Sequence, residues 1–89
     1  MNVKIQLENS FEKDLKKIKR RGKDLSKLKA VAEFLEAEIP LPERFRNHKL
    51  LGNYKDHWEC HIEPDWLLIY KKTPTALIFI RTGTHADLF

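Results

Sequence analysis

"CHIEPDWLLIY", residues 60–70, decides the fold. Cys60 and Ile62 alternate with His61 and Glu63, the period of a half-buried strand. Glu63-Pro64-Asp65 interrupts the run, because proline fixes φ and removes a backbone donor. Trp66 opens a second run, Leu67 to Tyr70, rich in the residues that fill buried strands. The stretch therefore reads as strand, turn, strand. Downstream, "KTPT" (72–75) marks another turn, and "ALIFIRT" (76–82) is nearly continuous in apolar residues. That run is placed as a strand buried on both faces. Upstream, the first strand extends back to residue 54, with Trp58, Cys60 and Ile62 on one face and His57, Glu59 and His61 on the other. The strands expected are 54–62, 66–71 and 76–82.

The N-terminal half is different in kind. "VKIQL" (3–7) alternates and predicts a short strand. Asn9 followed by Glu12 resembles a capping box, and Phe11, Leu15 and Ile18 recur at helical spacing. Gly22 after Arg21 stops this helix. Asp24 or Ser26 caps a second, whose stripe is Leu28, Val31, Phe34 and Leu35; Pro40 and Pro42 end it. "RFRNHKLLGNYK" (44–55) has no clear period and is expected to connect into the sheet at Gly52-Asn53. The order β-α-α-β-β-β defines a single α+β domain over 1–89, a helical hairpin packed on an antiparallel sheet.

Composition sets limits. With 89 residues and 42% hydrophobic content, the chain has one modest core, so any site lies on an open groove. The net charge of +4 is unevenly spread: residues 13–29 hold nine Lys/Arg against Asp14 and Asp24. Such a field attracts polyanions, whether nucleic acid, anionic lipid or an acidic protein. Cys60 is the single cysteine, which excludes an internal disulfide and a Cys-based zinc site; it is expected to be a small buried hydrophobe. No secretory signal or membrane span is evident, so a cytoplasmic protein without membrane contact is expected.

The two hairpins carry chemistry to one place. A turn at 63–65 sets His61 or Ile62 opposite Trp66, and a turn at 72–75 sets Trp66 roughly opposite Arg81. His61, Asp65, Trp66 and Arg81 then fall at one end of the sheet, and Gly83 lets His85 fold back over that end. Histidines suit proton transfer near neutral pH, and an arginine beside them suits a phosphate. No serine or cysteine has an evident activating partner. The set fits RNA transesterification, in which the substrate 2′-OH is the nucleophile and no metal or cofactor is required. Ordinary turn chemistry is the alternative for Asp65, and simple hydrogen bonding for the histidines. His57 and His61 are no zinc pair, since four residues along a strand span about 13 Å. "HWE" lacks the P-C-x-x-C of a zinc deaminase. Trp58, Tyr70 and Phe79 are assigned to the core.

"NHKLLGNYKDHWECHIEPDWLLIYKK" (47–72) with "FIRTGTHADLF" (79–89) closely resembles the YafQ branch of the RelE/ParE toxin superfamily, and the similarity covers essentially the whole chain. The resemblance implies a RelE-like fold and the toxin of a type II toxin–antitoxin module. It implies a ribosome-dependent endoribonuclease that cleaves mRNA in the A site of the 70S ribosome. It also implies a cognate antitoxin, usually with a ribbon-helix-helix part, through which the pair reaches operator DNA. By resemblance, His48, His61, Asp65, Arg81 and His85 are catalytic. His85 is the acid, or the acid/base partner; Asp65 or His61 is the base, or orients it; Arg81 stabilises the developing charge; His48 helps position RNA. Trp66 and Phe89 are stacking platforms or props, and Lys16, Lys17, Lys19, Arg20 and Arg21 contact RNA. Two alternatives remain: a non-catalytic ParE-like toxin, and a basic nucleic-acid-binding domain.

Overall fold

A computed structural model describes residues 3–52 and 56–89. The elements are β1 (Lys4–Leu7), α1 (Asn9–Arg20), α2 (Leu25–Glu36), a 3₁₀ turn (Glu43–Phe45), β2 (His48–Lys49), β3 (Trp58–Glu63), β4 (Trp66–Lys72), β5 (Ala76–Gly83) and α3 (His85–Leu88). The strands form one sheet in the order β1-β5-β4-β3-β2. All pairings are antiparallel except β1 with β5, which is parallel. The expected α+β architecture is present, with α1 and α2 packed on one face of a mainly antiparallel sheet.

The core lies between the helices and that face. Phe11 and Ile18 of α1 and Leu28, Val31 and Leu35 of α2 meet Cys60, Ile62, Trp66, Leu68, Tyr70, Leu77 and Phe79 from the strands. Phe11 and Phe79 pack edge to face, centroids 5.4 Å apart. Cys60 is fully buried, and burial pushes its thiol pKa up to about 12, so it is no nucleophile. Trp58 is half-buried and stacks on the buried Tyr70. On the opposite face Leu67, Ile69 and Leu88 form a small second cluster with Leu50 and Ile80. β5 is therefore less completely covered than expected, since Ile78 and Ile80 are only half-buried.

Several local expectations need correction. Asn9 is the first helical residue of α1 rather than its cap. Glu8 holds the N-cap position with extended backbone and no side-chain cap, because its N–H still bonds Phe79 O as a continuation of the β1–β5 ladder. Asp24 does cap α2, accepting from Ser26 N. The "connecting" segment contains a 3₁₀ turn and the two-residue strand β2, paired with β3. Elements so short show no period. The expected sheet entry at Asn53 and the first residues of the 54–62 strand lie outside the described residues. Arg81 stands opposite Ile69, not Trp66. The β4–β5 hairpin closes with Lys72 opposite Leu77, one residue later on each strand than expected, which carries Arg81 two positions to Leu68; the bulge at Ile80 carries it one further, since a bulge adds a residue to one strand.

Trp66 is wholly buried. Its indole N–H donates to Thr82 Oγ1 at 2.9 Å, and that hydroxyl donates to Leu67 O at 2.7 Å. In this structure Trp66 is a prop beneath the site rather than a stacking platform, because its ring is covered by the core.

Candidate active site

Three imidazoles stand in a row on the face away from α1 and α2. His48 comes from β2, His61 from β3 and His85 from the start of α3. The ring centroids of His48 and His61 are 6.3 Å apart, and those of His61 and His85 are 5.8 Å apart. Each is held by a different backbone device. Tyr70 donates its hydroxyl to Asn47 Oδ1 at 2.6 Å, which fixes the residue before His48 against the sheet. His61 sits where the β3–β4 register shifts. His85 opens α3, whose cap is reciprocal: Thr84 accepts from Asp87 N, and Asp87 accepts from Thr84 N.

The turn that carries Asp65 reaches His85. Asp65 Oδ1 accepts from the His85 backbone N–H at 2.9 Å and lies 2.6 Å from His85 Nδ1. These bonds, the backbone one first, hold the Asp65 carboxyl below the usual aspartate range. A depressed carboxylate keeps its charge above the ordinary value and loses it only as pH falls through the depressed one. Near neutrality Asp65 is therefore acceptor-only. It keeps a proton on His85 Nδ1 and leaves Nε2 to meet a substrate. Both side chains are more than half exposed, at 56% and 64%, so a ligand can reach them.

A residue that sequence reasoning left out joins the other two histidines. Glu59 Oε1 is 3.4 Å from His48 Nε2 and 3.4 Å from His61 Nε2. The alternation His57, Glu59, His61 was legible, but nothing in it marked Glu59 as buried. Beside His61, a groove of about 430 Å³ is lined by Arg44, Phe45, Arg46, His61 and Pro64, among others. Its two arginines lie in the segment 44–55, which has no clear period in the sequence.

Part of the basic cluster braces the site. Arg21 forks onto Asp87 at 2.6 and 3.1 Å, and Lys17 stands 3.6 Å from the same carboxylate. With Arg21 the leading cause, Asp87 is held well below the usual carboxylate range. Lys23 and Lys27 both bond Glu63, at 2.7 and 2.8 Å, so Glu63 anchors the turn to the start of α2 rather than merely occupying it. Lys16, Lys19 and Arg20 line an open surface groove along α1. Gly83 has φ +157°, and a Cβ there would meet the Asp87 side chain at 2.9 Å. Only glycine fits where β5 hands over to α3.

Arg81 is engaged by α1 and α3. Its Nε and Nη2 donate to Asp14 at 2.5 and 3.2 Å, tying β5 to α1, and Nη2 lies 3.5 Å from Asp87 O. A phosphate would compete with Asp14 for this guanidinium. Phe89 follows α3 directly and is 64% exposed. Among the described residues no cluster of three or more His, Cys, Asp or Glu has the geometry to hold a metal ion, and no helix is long and apolar enough to cross a membrane.

Residues 3–89 match the family model described as bacterial toxin of type II toxin-antitoxin system, YafQ. The chain belongs to the YafQ family. The mRNA interferase toxin YafQ of Escherichia coli (strain K12) is 44% identical over 86 residues, 96% of this chain and 94% of that protein. A putative toxin YafQ of Haemophilus influenzae is 32% identical over 72 residues, 78% of this chain and 71% of that one. The toxin in the crystal structure of the E. coli DinJ-YafQ toxin-antitoxin complex superposes with TM-score 0.92 at 42% identity, over 100% of this chain and 99% of that one.

Proposed function

We propose that this YafQ-family toxin, an endoribonuclease of the mRNA interferase kind, cleaves mRNA in the ribosomal A site by metal-independent acid/base transesterification. The carrying observation is the His48–His61–His85 row, with Asp65 fixing the tautomer of His85. In its imidazolium form His85 keeps the Nδ1 hydrogen on Asp65 and gives the Nε2 proton to the leaving 5′-oxygen, returning to the neutral Nδ1–H tautomer. His61 or His48 takes the proton of the 2′-OH. Asp65 orients His85, and protonated imidazole supplies positive charge beside the phosphorane. Arg81 adds to that charge only by exchanging Asp14 for the phosphate. RNA runs along the groove of Arg44 and Arg46, and Phe89 is the exposed aromatic for base stacking.

Lys16, Lys19 and Arg20 face outward and meet ribosomal RNA, whereas Lys17 and Arg21 also hold Asp87. A cognate antitoxin, like the DinJ partner of the E. coli relative, covers the site in the resting cell. A ribbon-helix-helix part of that antitoxin takes the pair to operator DNA.

The deciding experiment maps mRNA 5′ ends in a bacterial translation extract, with naked RNA alongside. Cleavage confined to ribosome-occupied codons is expected, and it should persist when transition ions are chelated and Mg²⁺ is kept for the ribosome. Equal cutting of naked RNA would remove the ribosome from the mechanism. Ribosome or gyrase binding without any cleavage would favour the non-catalytic alternative.

Reversing Lys16, Lys19 and Arg20 to glutamate separates ribosome docking from chemistry. Ribosome association should weaken, and the slope of log K against log salt should shrink by about 2 for three lost phosphate contacts. An unchanged slope in a sedimentation assay would leave these side chains as solvated helix surface.

A further inference from the structure

We propose that Lys49, Trp58 and Lys72 form a phosphate subsite for the mRNA strand that flanks the cleaved bond. The inference rests on the endoribonuclease reading for its substrate, but the cluster itself stands apart from the histidine row.

Cross-strand pairing builds the cluster. Lys49 of β2 stands opposite Trp58 of β3, and Trp58 stands opposite Tyr70 of β4. Lys72 follows Tyr70 by two residues, so it belongs to the same face of the sheet. The Trp58 and Tyr70 rings stack at 18° with centroids 6.5 Å apart, and the Tyr70 hydroxyl is tied to Asn47 at the entry to β2. The indole is therefore fixed from one side. Two cations stand over its ring: Lys72 Nζ lies 4.6 Å from the centroid and Lys49 Nζ 5.6 Å. Both fall within the range in which an indole attracts a cation. Trp58 is half-buried, and both lysines are exposed.

This pair differs from the basic residues of the helical hairpin in what it faces. Lys17, Arg21, Lys23 and Lys27 each meet a carboxylate, as does Arg81 of β5. Lys49 and Lys72 form no ion pair among the described residues, and Glu38 lines the same groove as Lys72 without bonding it. Two positive charges drawn to one ring repel each other, and an anion seated between them removes that repulsion. The indole also restrains two long side chains, so less entropy is lost when they close on a ligand. A phosphodiester fits: it carries one negative charge and two free oxygens, each able to accept from one ammonium.

The place in the sheet gives the source of the phosphate. Lys49 follows His48 on the two-residue strand β2, at the edge of the sheet. Successive strand residues take opposite faces, so His48 serves the cleavage site and Lys49 the helix side. An RNA strand with its scissile phosphate at the imidazoles, turning over this edge, brings a neighbouring phosphate to the lysines. No bond forms or breaks there; the pair holds the strand.

The test is single-turnover cleavage on programmed ribosomes. Lys49→Gln with Lys72→Gln should raise half-saturation ~10-fold, with the maximal rate within about twofold. The slope of log affinity against log salt should shrink by about 1.4, as for two single-strand phosphate contacts. Lys49→Arg with Lys72→Arg should keep most of the affinity, because arginine retains both the charge and the ring contact. Neutral methylphosphonates, placed singly at the mRNA phosphates nearest the cleaved bond, locate the contact. One position should weaken the wild type and leave the glutamine variant unaffected. A weakened variant with no such position would move the contact to ribosomal RNA and overturn the proposal. Wild-type half-saturation and salt slope in the variant would also overturn it, and would leave the lysines to an acidic protein segment. A wild type that cuts nothing would sink the nuclease reading instead. The subsite is then decided by the free Trp66→Phe protein, whose remaining tryptophan is Trp58. A short non-cleavable single-stranded oligonucleotide should quench its fluorescence in a salt-dependent way, and absence of quenching would overturn the subsite.

Discussion

His85→Ala is expected to lower single-turnover cleavage of ribosome-bound mRNA by about 10²–10⁴-fold while ribosome binding stays within a few-fold. The effect is large because no other imidazole is placed to replace it. His61 is 5.8 Å away by ring centroid and faces Glu59, and His48 is further along the row. Folding should be nearly untouched. The side chain is more than half exposed, and the backbone N–H that bonds Asp65 remains after substitution. The Thr84–Asp87 cap and the Arg21 fork onto Asp87 also hold α3 without it. The measurement is the rate on programmed ribosomes beside a melting curve. Wild-type cutting by the variant would remove His85 from the proton path.

Trp66→Ala should produce the largest loss of stability, about 3–5 kcal/mol. That is a large share of the 5–15 kcal/mol typical of a whole domain. The indole is fully buried at the head of β4, among Cys60, Ile62 and Leu68. Its removal leaves a cavity under the turn that presents Asp65. Trp66→Phe should cost much less, because Thr82 keeps its bond to Leu67 O after the indole donor is gone. The phenylalanine variant should still cleave below its melting temperature. Denaturant melts of both variants, with cleavage measured at a temperature where each is folded, test the assignment. An alanine variant that melts like wild type yet cannot cut would make Trp66 a contact for RNA.

These two residues also show what the sequence could and could not carry. The Glu-Pro-Asp turn and the apolar run after it announced the β3–β4 hairpin, because proline chemistry and strand periodicity are local. Bulges are not local in that sense. The β4–β5 hairpin closes with Lys72 opposite Leu77, and the extra residue Ile80 adds one more step of register, so Arg81 stands opposite Ile69 and bonds Asp14. β2 and α3 span two and four residues, too few for any period, yet they deliver His48 and His85. Glu59 was hidden for another reason. Alternation assigns a side of the strand, and burial on that side depends on what β2 and the neighbouring histidines bring later in folding. Lys17, Arg21, Lys23 and Lys27 were legible as charge, but their carboxylate partners Asp87 and Glu63 are distant in sequence and close only in the fold.

The parallel pairing of β1 with β5 sets an order of events during synthesis. β5 lies between β1 and β4, so the first strand made has no neighbour until the last strand has emerged. Local pairing can join β3 to β4 early, but the sheet closes only through a contact that spans nearly the whole chain. His85 follows directly after that closing strand. A nascent toxin therefore carries its basic hairpin and two of its imidazoles long before it has a complete site. The three imidazoles come together only once β5 has paired with both β4 and β1 and α3 has followed it.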